Sequence, residues 1–276
     1  MNNNQIINPT VSYLYDLVEY YDVNPAKAIE LGTRSDGRKP SLPGSKTCDP
    51  ISDMTYEDIW ALSPRSTQEE IFKFYRDQGS WSSFRQVVRH LSLVEYHLQV
   101  LGMLNLFPGA HLVEYGCGTA PYTRALLEHL MPGNHLEVSL SDLDCEHFKF
   151  GLWRAEKTIR RNGLNVDLHP QQINPNELPT YHKKIDRLIV FEVLEHVPSP
   201  VECIKNLHDQ MNADCLVVEN FIKHGPEEED DDGPDLKTAR EEREAFYDFM
   251  KGNFDLLTKG TSLESAPDST RVWKKR

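Results

Sequence analysis

The stretch His111-Leu112-Val113-Glu114-Tyr115-Gly116-Cys117-Gly118-Thr119-Ala120 decides the fold. An apolar run reaches a carboxylate, passes through Gly-x-Gly and enters a helix-like segment near 119–131. Two glycines let a backbone turn sharply and approach a ligand closely. The helix that follows is predicted to offer free N–H groups at its start. The next small residue is Ala120, so the full dinucleotide fingerprint is absent. A turn of this kind also serves tight packing alone. Glu114 raises the functional reading, because a carboxylate before the glycines repels a pyrophosphate and suits an amino-bearing ligand.

Working outward, short apolar runs at 111–115, 136–140, 186–191 and 215–221 alternate with amphipathic segments near 119–131, 145–162 and 199–211. That alternation predicts an α/β fold with a mostly parallel sheet covered by helices on both faces. Segments 254–258 and 270–274 read as two closing strands. The second run ends Ser139-Leu140-Ser141-Asp142, with Asp142 24 residues after Gly118, room for one helix. An acid there can hold ribose hydroxyls; it can equally be a strand-end turn acid.

Upstream, residues 1–84 read as helical and aromatic-rich, with Tyr56, Trp60, Phe72, Phe74, Tyr75, Trp81 and Phe84. Thr10 is placed to cap a first helix with Val11, Leu14, Leu17, Val18 and Tyr21 on one face. Asn24-Pro25 opens a second helix that Gly32 closes. Residues 33–54 read as a loop, and Ser66–Glu69 and Ser83–Gln86 as capping boxes. The aromatic residues either pack a small core or cover the site. The division is 1–84, an N-terminal helical lid, and 85–276, the α/β core.

Composition narrows the class. The net charge is −13, of which six negative charges form the run Glu227–Asp232. Such acidity disfavours a nucleic-acid partner. The five cysteines are scattered with no C-x-x-C pair, which fits a reducing cytoplasm and neither a disulfide framework nor structural zinc. Met1-Asn2-Asn3-Asn4-Gln5 has no basic n-region, so no signal peptide is expected. No run approaches 18 apolar residues, so no membrane span is expected.

Three motifs in order resemble the class I S-adenosylmethionine-dependent methyltransferases: Val113–Gly118, Asp142, and Asp186–Val197 with its Phe191-Glu192-Val193-Leu194-Glu195-His196 segment. The resemblance covers about 85–276 and implies a Rossmann-like seven-stranded sheet, a transferase activity and S-adenosylmethionine as cofactor, leaving S-adenosylhomocysteine. It implies that Glu114 orients the methionine amino end and that Gly116, Cys117 and Gly118 floor the site. Asp142 would hold the ribose, Leu143 the adenine face, Asn174 (with Gln172 as rival) the adenine amine, and Phe191 the cofactor's side. The family's Pro-Gly-Gly turn before the fifth strand is replaced by Asn212-Ala213-Asp214.

A methyl transfer needs a base only when the nucleophile arrives protonated. His196, with Glu195, is the expected catalytic pair, because imidazole titrates near neutrality; a structural role for both is the competing reading. Glu192, Glu195, His196 and His224 could hold a divalent ion, and no metal is assigned. The acceptor is expected to be a small molecule methylated on O or N in a specialised biosynthetic pathway. RNA, or non-methyl-transfer chemistry on the same cofactor, is the alternative.

Overall fold

β1 (His111–Tyr115) lies inside a seven-stranded sheet, and all five of its residues are buried. A computed structural model describes residues 9–33, 62–64, 67–77, 79–131, 133–221, 236–259 and 270–276. The acidic run, His224, the 33–54 loop beyond Thr33, Ser66, Tyr56, Trp60 and the side chains of Thr10, Val11 and Trp81 lie outside the described residues.

The other strands are β2 (Leu136–Leu143), β3 (Val166–Ile173), β4 (Ile185–Val190), β5 (Met211–Glu219), β6 (Phe254–Lys259) and β7 (Arg271–Lys275), in spatial order β3-β2-β1-β4-β5-β7-β6. The first five run parallel, while β7 is antiparallel to both β5 and β6. Glu219 anchors this reversed strand, its buried carboxylate accepting from Trp273 Nε1 at 2.9 Å.

Alternation along the strands sends successive side chains to opposite faces. Val113, Leu188 and Val217 face one core, packed by α3 (Gln68–Asp77), α8 (Pro200–Asp209) and α10 (Arg243–Asn253). Leu112, Ile189 and Val218 face the other, packed by α5 (Val94–Met103), α6 (Pro121–His129) and α7 (Glu146–Asn162). Both faces are therefore covered, as the strand–helix alternation implies. A short α9 (Lys237–Glu241) precedes α10.

A third cluster joins α1 (Pro9–Tyr21), α2 (Pro25–Thr33) and α4 (Ser80–Leu91) to Phe150 of α7. Its core is Tyr13, Leu17, Ala28, Leu31, Phe84 and Val87, all fully buried. α1 is also fastened by charge: buried Asp16 meets Arg124 Nε at 2.8 Å and Lys157 Nζ at 3.2 Å.

Several local readings shift. Asn24 does cap α2, accepting from Lys27 N–H at 2.8 Å. Gly32 does not close that helix; it lies inside it, where an added Cβ would stand 2.2 Å from Val88 Cγ2. Close packing against α4 is the reason for that glycine. The capping box before α3 is Thr67–Glu70, with reciprocal 3.2 Å bonds, one residue beyond Ser66–Glu69. Ser83 is no cap, because α4 begins at Ser80; the boundary drawn at 84/85 falls inside this helix. Asn212-Ala213-Asp214 is an irregularity within β5, with Asp214 at φ 63° and Asn212 Nδ2 donating to Asp186 at 2.8 Å.

Candidate active site

Between β1 and β4 the sheet order reverses, and ligands of open α/β sheets bind at the carboxyl ends of such strands. The Gly116-Cys117-Gly118 turn stands there. Gly116 has φ 64° and Gly118 φ 50°, the left-handed region where a side chain is strained. A Cβ on Gly116 would lie 2.3 Å from Val193 Cγ2.

Two cavities flank this turn. The first, of about 160 Å³, is walled by Asp142, Leu143, Cys145, His147 and Ile173, by Val193 and His196, and by Gln68, Ile71, Phe72 and Tyr75 of α3. The second, of about 180 Å³, holds Glu114, Cys117, Tyr122, Phe191 and Asn220, with Arg89, His90, Tyr96 and His97 above. Gln86, Tyr115, Gly116, Gly118 and Glu192 line both, so the cavities meet over the turn.

Asp142 closes the end of β2. Its carboxylate accepts from the N–H of Gly118 at 2.5 Å and of Leu143 at 2.7 Å, which aims it into the first cavity. Burial raises its pKa to about 6, against the lowering effect of those two bonds. Two further lone pairs remain for hydroxyl donors.

Glu114 is 2% exposed and accepts from the N–H groups of Thr123, at 2.9 Å, and Tyr122, at 3.4 Å. Pro121 has no N–H and the Arg124 N–H bonds Ala120 O at 2.9 Å. The start of α6 is thus capped from β1, because Ala120, with φ 50°, carries only a methyl group and no acceptor. The N–H groups of Tyr122 and Thr123, expected to be free there, are taken by Glu114. Burial raises the Glu114 pKa to about 7.

Gly116, Cys117, Gly118, Leu143 and Phe191 line the cavities. Phe191 stacks on Tyr122 at 5.1 Å between centroids. His196 lines the first cavity, its ring 6.0 Å from that of Tyr75. Glu195 borders neither cavity: it is 5% exposed, and its backbone carbonyl accepts from Leu236 N–H at 2.9 Å. Its side chain therefore stands outside both cavities. Asn174 also stands outside the cavity wall. It is exposed, its Nδ2 donates to Glu177 at 2.8 Å, and Ile173, Glu177 and Leu178 line the wall in its stead. Gln172, exposed and bonded to Asn174 at 3.4 Å, does not line the cavity either.

Sequence reasoning missed Gln86, Tyr96, His97 and His90. His90 Nδ1 and His97 Nε2 are 3.2 Å apart, and burial pushes His97 down to about 3, so the pair is neutral. They stand on two helices, His90 in α4 and His97 in α5, so helical spacing carries no signal of the pair. Orphaned polar atoms face both cavities: among the described residues His147 Nε2 and His97 Nδ1 are buried without hydrogen-bond partners.

No family model matches the chain. The ubiquinone biosynthesis O-methyltransferase of Coxiella burnetii, found in several strains, is 26% identical over 142 residues, 50% of this chain and 55% of the relative. That likeness coincides with a sheet of order 3-2-1-4-5-7-6, with a reversed seventh strand, and with a glycine turn at its switch point. The chain has the fold of the class I S-adenosylmethionine-dependent methyltransferases.

The chain spans about half the length of the curated relatives it matches. Among solved structures, a SAM-dependent methyltransferase from Aquifex aeolicus has a TM-score of 0.44 at 14% identity, covering 75% of this chain and 97% of that one. The pyocyanin biosynthetic protein PhzM has a TM-score of 0.46 at 17% identity, covering 76% and 62%. Likenesses of that strength add nothing to the topology. The family's cofactor carries a base, a diol and an amino acid end. The residues present fit it: an apolar wall with a carboxylate in one cavity, a buried carboxylate with aromatic rings in the other, and orphaned imidazole nitrogens in each. Among the described residues, Glu192, Glu195 and His196 do not form a convergent ligand group. No described helix is long and apolar enough to cross a membrane.

Proposed function

We propose that the chain is an S-adenosylmethionine-dependent methyltransferase that methylates a small-molecule acceptor on oxygen or nitrogen. The observation carrying this reading is the pair of carboxylates, Asp142 and Glu114, one in each cavity on either side of the Gly116–Gly118 turn. The curated relative's name, an O-methyltransferase of ubiquinone biosynthesis, favours a small acceptor.

In this reading Asp142 accepts the two ribose hydroxyls. Leu143 and Ile173 pack the base. Glu114 works through the start of α6 and toward the amino end, and Phe191 closes the side. When bound, S-adenosylmethionine supplies a methyl group on a sulfonium, so the protein's task is alignment in a dry cavity. His196 takes the proton of a hydroxyl acceptor. The backbone carbonyl of Glu195 helps fix the turn at 194–196 by accepting from Leu236 N–H.

Residues 1–84 serve as a lid. Gln68, Ile71, Phe72 and Tyr75 lining the first cavity support this, as does the fastening of α1 to α6 and α7 by Asp16. Among the described residues the four cysteines are buried and free, which favours a cytoplasmic setting. A thermal-shift screen of small phenols, catechols and amines with S-adenosylhomocysteine present tests the assignment, since an acceptor stabilises the ternary complex. Stabilisation by RNA alone would contradict it.

A further inference from the structure

At the amino-terminal half of β2, away from both cavities, three potential ligands converge. Glu137 on β2, His169 on β3 and His182 before β4 bring one ligand atom each within 4.8 Å of one another. The register explains this. Ser139 stands opposite His169, so Glu137, two residues back on the same face, is its diagonal neighbour. The 181–184 segment crosses that face, pinned by Tyr181 Oη to Ser141 Oγ at 2.9 Å and by Lys184 O to His111 Nδ1 at 3.1 Å.

His182 is thereby laid over Glu137, Nε2 to Oε2 3.0 Å, with its ring centroid 3.9 Å from that of His169. His169 Nε2 lies 4.0 Å from the same carboxylate and, among the described residues, is buried without a hydrogen-bond partner. A buried nitrogen with nothing to bond is costly. The other oxygen of Glu137 is held by Lys183 Nζ at 2.6 Å, which orients the carboxylate as outer groups do in metal sites.

We propose that Glu137, His169 and His182 bind a divalent transition-metal ion of the zinc class, with water completing four ligands. Two imidazoles and one carboxylate suit a borderline ion, whereas magnesium and calcium prefer oxygen ligands throughout. Around a tetrahedral ion with bonds of about 2.0–2.1 Å the ligand atoms stand about 3.3 Å apart. The observed 3.0 and 4.0 Å separations bracket that figure. The ion ties edge strand β3 to β2 and to the segment before β4. It acts as a clamp, at the end of β2 opposite Asp142.

The test uses the full chain without a histidine tag, stripped with EDTA and titrated with Co²⁺ and then Zn²⁺. The expected result is the visible absorption of four-coordinate cobalt at one ion per chain, bleached by zinc. Zinc should also raise the melting temperature. His169→Ala and His182→Ala should each weaken zinc binding at least tenfold, while His129→Ala, on α6, should not. His169→Ala removes no hydrogen bond from the ring's Nε2, so an unchanged melting temperature in EDTA separates lost binding from lost folding. Absence of the cobalt absorption, or equal zinc affinity in His169→Ala and wild type, would overturn the site.

Discussion

Asn220 and Glu192 clasp each other across the carboxyl ends of β5 and β4. Asn220 Nδ2 donates to Glu192 Oε1 at 2.6 Å, and Asn220 Oδ1 accepts from the Glu192 N–H at 2.8 Å. The clasp holds Glu192 at φ 55°, a left-handed conformation that costs a non-glycine residue about 1–2 kcal/mol. Glu192 lines both cavities and Asn220 the second, so this strained corner forms their common wall.

Asn220→Ala removes both bonds. We expect a loss of about 2 kcal/mol in stability by chemical denaturation. Affinity for S-adenosylhomocysteine should fall as the wall relaxes. Adding Glu192→Gly should recover part of the stability, because glycine tolerates the angle unaided. No recovery would show that the corner is not strained.

Glu114 makes stability depend on pH in a defined direction. Burial lifts its folded pKa to about 7, above the ordinary carboxylate value of 4.5, so between those values the folded state keeps a proton that the unfolded state has released. Stability from this group therefore falls as pH rises through that window and levels off above it. His97 and His147, lowered to about 3 and about 4 by burial, work in the opposite sense. The clean readout is a difference. Stability of Glu114→Gln relative to wild type should climb from pH 4.5 to 7 and then stay flat. A constant gap would refute the raised pKa.

His196→Ala should cut turnover while leaving S-adenosylhomocysteine affinity within a few-fold. Glu195→Gln, outside both cavities, should cost stability more than turnover. Chelators should have little effect on turnover. Full activity in His196→Ala would leave alignment alone as the mechanism.

Asp16→Ala removes one of the two carboxylates, Asp16 and Glu128, that pair the fully buried Arg124 guanidinium, and breaking a buried pair from one side costs up to about 3–5 kcal/mol. Residues 9–33 should then become the first site of proteolysis, with S-adenosylhomocysteine slowing cleavage less than in wild type. A protease pattern identical to that of wild type would contradict the anchoring role.

Much of this architecture could be read from periodicity. β1 falls at 111–115 as the apolar run indicates, and the glycine turn and Asp142 meet at 2.5 Å across 24 residues. What escaped was set by tertiary contact. Gly32 looks like a helix stop because the close approach of Val88 has no local trace. Ser83 resembles a cap, yet burial between α1 and α7 draws it into a helix that starts earlier. Asn174 was matched by its place after β3, but it bonds Glu177 and leaves the wall to Ile173. His90 and His97 flank a helix break at 92–93, so their shared cavity appears only once α4 and α5 are packed.

The most direct measurement is calorimetric titration of the chain with S-adenosylhomocysteine. One site per chain is predicted. Asp142→Ala should weaken it by about 10- to 150-fold, the 1.5–3 kcal/mol of hydrogen bonds to a charged acceptor. Wild-type affinity should also decline as pH falls below about 6, where the Asp142 carboxylate takes up a proton. Undiminished affinity in Asp142→Ala, or no binding by the wild type, would contradict a cofactor site at the Gly116–Gly118 turn.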